Sequence, residues 1–287
     1  MRQLVITTFL ISALSFTQKV EAIERCVSVG KPSNGWLIGG VALPASERIL
    51  IRKGRNYGTP EMIEALVLAV DAVHEKHPGA HPLVTGDLSR KEGGKLSPHL
   101  SHQSGRDADV GYYFHTHVQP RWFRKASEDS LDVPRTWTFV ASLLADAKVE
   151  YIFMDYRLQK LLYEYARDKM GHTPGDLLRH FAYPRGRGAR VAIIRHLKGH
   201  RDHMHIRFHA RASVANQKNY VAEHGQGSLK PVAKRATVRR GWTLSHMARK
   251  YRTSVAKLRK WNKLRQGSTI YPGDRLIVGW RSPMDEL

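Results

Sequence analysis

The chain has almost no cysteine. Its 287 residues include one, Cys26, so no intrachain disulfide can form and a disulfide-stapled scaffold is excluded. Acids are also scarce: 25 Asp+Glu stand against 47 Lys+Arg, a formal net charge of +22. An excess of this size calls for an anionic partner, whether nucleic acid, an anionic membrane surface or an acidic wall polymer, and charge alone does not choose among them. Long apolar runs are missing too. The best is Leu4 to Phe16, short of the roughly 20 residues a membrane-spanning helix needs. Internal repeats and low-complexity tracts are absent.

What is present suits one full domain and a smaller one, taking about 100–200 residues per domain. A hydrophobic share of 41% permits a packed core. Residues 1–22 read as an export signal: Arg2 supplies the positive start, Leu4 to Phe16 the apolar centre, and Ala22 the small residue before cleavage. Cys26 follows Glu24 and Arg25, which is wrong for a lipid-modified cysteine, so it is expected to be a free thiol.

Thr59-Pro60-Glu61 starts a helix, with Thr as N-cap and Pro at the first position. Met62, Ile63, Leu66, Val67, Val70 and Val73 then form its core face. Strands are expected at 48–52, 83–88, 107–114, 150–154, 191–194 and 203–209, and helices at 137–146 and 158–169. In the last strand Met204, Ile206 and Phe208 share one face, while His203, His205, Arg207 and His209 share the other. Residues 211–232 lose periodicity and read as a linker.

Of the 16 histidines, nine fall within 99–117 or 196–209. His and Asp are ligands for divalent transition metals, and a catalytic zinc takes three protein ligands and leaves one position open. His102 and Asp109 are seven residues apart, an odd spacing that puts them on opposite faces of a continuous strand. The chain must bend between them, and Gly105 is the place for it. His102, Asp109 and His205 would then make a His₂Asp site. His203 shares the face of His205 and is placed to act as a general base. His99 and His200 are close enough in sequence to orient ligands or to stabilise an oxyanion. Asp107 and Asp202 are read as hydrogen-bond partners of these groups.

Ser101-His102-Gln103-Ser104-Gly105-Arg106-Asp107-Ala108-Asp109, with His99 before it, resembles the metal-binding motif of the penicillin-insensitive murein endopeptidases. The spacing of His200, His203 and His205 matches that family's second motif, and Tyr57-Gly58-Thr59-Pro60, Gly86-Asp87-Leu88-Ser89 and Glu150-Tyr151-Ile152-Phe153 look like further landmarks. The resemblance covers about residues 35–210. It implies Zn2+ on His102, Asp109 and His205, with His203 as base. It also implies cleavage of peptidoglycan cross-links of the D-alanyl–meso-diaminopimelate type in the periplasm. The best-known members hold their fold with several disulfides, which this chain cannot form.

Residues 233–280 form a compact basic unit, and between 231 and 281 there are 14 Lys+Arg against one acid, Asp274. Their order is strand, helix, helix, strand, similar to a LysM domain. That resemblance implies binding to N-acetylglucosamine-containing glycans, with Gly241, Trp242, Thr243, Ile270 and Tyr271 on the two groove loops. A nucleic-acid partner is not expected, because export and a glycan module favour a wall polymer.

The chain is therefore expected to be α+β. A zinc peptidase domain (23–210), with a small antiparallel sheet flanked by helices, precedes the linker and a βααβ unit. Two rivals stay open: a zinc D-Ala-D-Ala carboxypeptidase acting on stem peptides, and a non-catalytic peptidoglycan-binding protein.

Overall fold

The computed structural model describes residues 21–115, 120–145, 147–225 and 232–281. The expected signal, 1–22, falls almost wholly outside these residues. The chain divides into two units, with the boundary between Tyr220 and Val221. The first unit contains β1 (Val27–Lys31), β2 (Asn34–Ile38), β3 (Val41–Ala42), β4 (Ile49–Leu50), β5 (Tyr57–Gly58), α1 (Pro60–Lys76), β6 (Leu83–Val84) and β7 (Asp107–Gly111). It continues with α2 (Val133–Ala145), β8 (Val149–Met154), α3 (Tyr156–Asp168), α4 (Pro174–His180), β9 (Ile194–His196), β10 (His203–Phe208) and α5 (Arg211–His224), whose last residues lie beyond the boundary. The second unit contains β11 (Val232–Thr237), α6 (Leu244–Lys250), α7 (Val255–Trp261) and β12 (Arg275–Arg281). Among the described residues no helix is long and apolar enough to cross a membrane.

The central sheet has the order β7-β10-β8-β9. Neighbours β7, β10 and β8 are antiparallel, as expected, but β9 runs parallel to β8. The crossover through α3 and α4 causes this, because a helical return brings the chain back to the end where it started. β9 also begins later than the expected 191–194: Val191 is 88% exposed and outside the sheet. β6 is two residues long, yet the chain after it stays beside β7, where Gly86 N–H bonds Asp109 O at 2.8 Å and Asp109 N–H bonds Asp87 O at 3.0 Å. These bonds hold Asp87 along the outer edge of β7, beside Asp109.

Thr59 caps α1 by accepting from the Met62 N–H, and Met62, Ile63, Leu66, Val70 and Val73 are buried. Each such burial is worth about 1.5–3 kcal/mol. α1 packs on α2, and α2 on α3. α2 begins at Val133, before the expected Trp137, because Asp132 accepts the Arg135 N–H at 3.0 Å. Met204, Ile206 and Phe208 lie at the core, as their alternation predicts.

Residues 211–224 correct the linker reading: they form α5, and 226–231 lie outside the described residues. Its anchors are polar, so no apolar stripe marks it. Glu61 accepts both the N–H and the hydroxyl of Ser213, at 2.9 and 2.6 Å, and the Asn216 amide donates to Ile23 O and Cys26 O at 2.7 and 3.0 Å. Cys26 is free and fully buried beneath these contacts.

The second unit has the expected βααβ order and its own core of Val238, Leu244, Met247, Leu258, Leu276 and Val278. Asn262, after α7, donates to Ile277 O and accepts from Ile277 N–H, at 2.9 and 2.7 Å, and so fixes that helix to β12.

Candidate metal centre

Strand register builds the centre. His205 of β10 lies directly opposite Asp109 of β7, Arg207 opposite Asp107, and His203 opposite Gly111. Directly opposite residues on a pleated pair project to the same side, so His205 and Asp109 meet. His205 Nδ1 lies 2.9 Å from Asp109 Oδ1.

His102 reaches the same carboxylate from the loop. The chain bends at Gly105, as the odd spacing requires, with φ +71°; a Cβ there would lie 2.7 Å from Leu37 Cδ1. His102 itself is also left-handed, with φ +66°, a conformation costly for a residue with a Cβ. Its main-chain N–H bonds Asp107 Oδ2 at 2.9 Å, which holds that conformation. Its ring bonds Leu88 O through Nδ1 at 2.7 Å. A carbonyl only accepts, so Nδ1 carries the proton and Nε2 offers a lone pair. That Nε2 is buried without a hydrogen bond, 3.3 Å from Asp109 Oδ1. A buried acceptor left unpaired is costly unless a ligand takes it, and a cation would.

His99 joins the group. Its Nε2 contacts Asp87 Oδ2 at 2.9 Å and its Nδ1 lies 3.6 Å from Asp109 Oδ2. With the proton held toward Asp87, a neutral His99 also points a lone pair inward. Ligand atoms of His99, His102 and Asp109 all lie within 4.8 Å of one another, the arrangement a metal ion needs. Nitrogen and carboxylate donors of this kind suit zinc-like ions.

The buried acids dominate the electrostatics of the centre. Burial works against the charge on Asp109, but His102 and His205 beside it hold it well below the usual carboxylate range. Burial likewise opposes charge on His205, yet Asp107 and Asp109 raise it to about 9. His200 goes the other way, down to about 4, through burial and then the neighbouring imidazoles of His203 and His205. His203 stands at the rim: Nδ1 contacts Asp202 Oδ1 at 2.7 Å, and Nε2 is 4.0 Å from Asp109 Oδ1. His200 lies against His203, with centroids 4.8 Å apart and the rings tilted by 45°.

All six histidine and aspartate candidates therefore lie around one end of the β7–β10 pair, but the three whose ligand atoms come within 4.8 Å of one another are His99, His102 and Asp109, while His205 turns its two ring nitrogens to Asp109 and Asp107. Sequence spacing assigns no site role to four further neighbours. Asp87 is buried and accepts from Arg52, Arg55 and His99. Phe123 stacks on His203, and Tyr151 and Phe153 of β8 lie 6.4 and 5.8 Å from His205, ring to ring. Asp87 falls in the Gly86-Asp87-Leu88-Ser89 landmark, and an acid inside the apolar stretch 83–88 is the physical signal that could have given it a role.

In the second unit, Gly241 makes a turn at φ +80° and Thr243 caps α6 by accepting the His246 N–H at 3.1 Å. Val238 exchanges backbone bonds with Asp274 and Gly273, which ties this loop to the one holding Ile270 and Tyr271. Trp242 packs against the core and stacks on His246 at 5.2 Å, with Lys250 and Arg239 over its ring. Ile270 packs on the same core, and Tyr271 is 64% exposed.

No curated protein matches the chain. Residues 28–168 match the family model of the penicillin-insensitive murein endopeptidases, and residues 236–279 that of the LysM domain. The first match contains His99, His102 and Asp109, and ends before β10. The first unit thus belongs to the penicillin-insensitive murein endopeptidase family, and the second is a LysM domain.

Proposed function

We propose that the chain is an exported, periplasmic zinc endopeptidase that hydrolyses D-alanyl–meso-diaminopimelate cross-links of peptidoglycan and is held on the glycan by its LysM domain. The observation that carries this reading is the buried, unpaired Nε2 of His102 beside Asp109. His102, Asp109 and His205 would hold the ion, with His99 close enough to join them. When bound, zinc supplies Lewis-acid chemistry at the scissile carbonyl.

The chain's own residues do the rest. Asp202 accepts from His203 Nδ1, which leaves Nε2 to take a proton from the attacking water and later deliver it to the leaving amine. His200, kept neutral, adds no charge beside the ligands. Asp107 and Leu88 O hold the main chain and ring of His102, and Asp87 holds His99, so no ligand reorients during the reaction. In the LysM domain the exposed Tyr271 ring is the best-placed face for a sugar. Trp242, engaged by His246, Arg239 and Lys250, supports the groove loop beside Gly241 and Thr243.

Metal analysis of the purified chain combined with digestion of sacculi tests the reading. Stoichiometric zinc and conversion of cross-linked dimers to monomers are expected. Release of free D-Ala alone would make it a carboxypeptidase. Glycan binding with neither metal nor products would reduce it to a binding protein.

A further inference from the structure

An aromatic pair and an arginine form one wall of the metal centre. Phe123 stacks on His203 with centroids 4.9 Å apart and rings 10° from parallel. Two glycines make its seat. A Cβ on Gly86 would lie 2.5 Å from Phe123 Cζ, and one on Gly111, the cross-strand partner of His203, would lie 3.5 Å from Cδ1. Trp122 stacks in turn on Phe123 at 5.0 Å.

Trp122 is nonetheless 47% exposed. The Arg52 guanidinium lies 5.5 Å over its ring and spends one N–H on Asp87 at 3.0 Å, while the Arg52 side chain is 44% exposed. The open Trp–Arg surface is thus joined to the centre twice, through Phe123 to His203 and through Asp87 to His99. An exposed indole offers apolar surface and one N–H to a peptide. A guanidinium has five N–H groups and pairs in a fork with carboxylates.

We propose that Trp122 and Arg52 form a substrate subsite that grips the anionic peptide beside the scissile bond. The exposed part of the indole packs against that peptide, and Arg52 pairs with one of its free carboxylates. Two features select an anionic peptide as occupant: continuity of the surface with His203, and an outward-facing cation in a chain of net charge +22. The proposal rests on the peptidase reading above and names what that site prefers.

The test uses the zinc-loaded full chain, a soluble cross-linked muropeptide dimer, and the same dimer with its carboxylates amidated. Trp122→Ala is expected to raise KM about tenfold on both substrates, and Trp122→Phe to restore most of it. Arg52→Ala is expected to raise KM about tenfold on the free acid and to change little on the amide. Zinc content should stay at the wild-type value in all three. An unchanged KM in Trp122→Ala or Arg52→Ala, or an equal loss on acid and amide in Arg52→Ala, would overturn the subsite. If the wild type cleaves neither dimer, the peptidase reading fails by itself. Calorimetric binding of the linear stem tetrapeptide then decides the subsite: affinity lost in both alanine variants upholds it, and unchanged affinity removes it.

Discussion

Asp107 and Arg207 face each other across β7 and β10 and are joined by two hydrogen bonds, 2.6 Å from Nε and 3.0 Å from a terminal nitrogen. The same buried carboxylate accepts the main-chain N–H of His102 at 2.9 Å. One side chain therefore ties strand register to the loop that carries a metal ligand. Burial opposes its charge, but His205 and Arg207 keep it well below the ordinary carboxylate range. Arg207→Ala leaves that carboxylate without its fork and should cost about 3 kcal/mol or more of stability, read from urea denaturation. Arg207→Lys keeps the charge and loses the fork, and should recover only part of the loss. A wild-type denaturation midpoint in Arg207→Ala would refute this account.

His102→Ala and His205→Ala each remove a donor from the centre. Both should lose bound metal and sacculus cleavage, while binding to insoluble peptidoglycan persists through the second unit. Metal content and a pull-down measure the two parts separately. Cleavage retained by either variant would show that the ligands are wrongly assigned.

Asp202→Asn removes the carboxylate that contacts His203 Nδ1 at 2.7 Å. A partner of this kind is worth about 10–100-fold in activity. The loss should appear in kcat, with zinc content unchanged. A variant that loses zinc as well would move Asp202 from orienting the base to supporting the ligands.

Burial pushes the Cys26 thiol up to about 12, despite a hydrogen bond from Ser213 that works in the other direction. A thiol whose pKa is raised by folding stabilises the fold fully below its unfolded value of about 8.5, and that contribution is lost as pH climbs toward the folded value. Cys26 should resist a thiol reagent at pH 8 in the native protein and react at once in guanidinium. Stability should fall as pH rises above about 9. Cys26→Ser, in which the hydroxyl does not ionise, should flatten that fall; an unchanged slope would assign it to other groups.

Tyr271→Ala should weaken retention on peptidoglycan with little change in the melting of the second unit, since the ring is exposed. Trp242→Ala should do the reverse, because its ring packs on that unit's core and stacks on His246. Calorimetry and the pull-down together separate the two. Equal effects of both variants on melting would contradict the assignment.

Much of this was legible before any coordinates. Period-two alternation placed Met204, Ile206 and Phe208 inside and left His203, His205 and Arg207 on the other face, because alternation depends only on the pleat. The bend between His102 and Asp109 followed from parity and a glycine. The parallel edge at β9 was not legible, since strand direction is set by where a helical crossover returns. Helix α5 was missed because hydrogen bonds through Ser213 and Asn216 hold it, and hydropathy carries no trace of them.

By itself, then, the sequence determined which side chains could be ligands, which faces they occupied, and that two units follow one another. Those are properties of local geometry, and neighbouring residues settle them. Only the tertiary structure decided that Asp87 reaches His99, that His102 sits left-handed under Asp107, and that Trp122 and Arg52 lie beside the centre. Each of these joins residues distant in the chain, and such contacts exist only once the strands have paired and the core has closed.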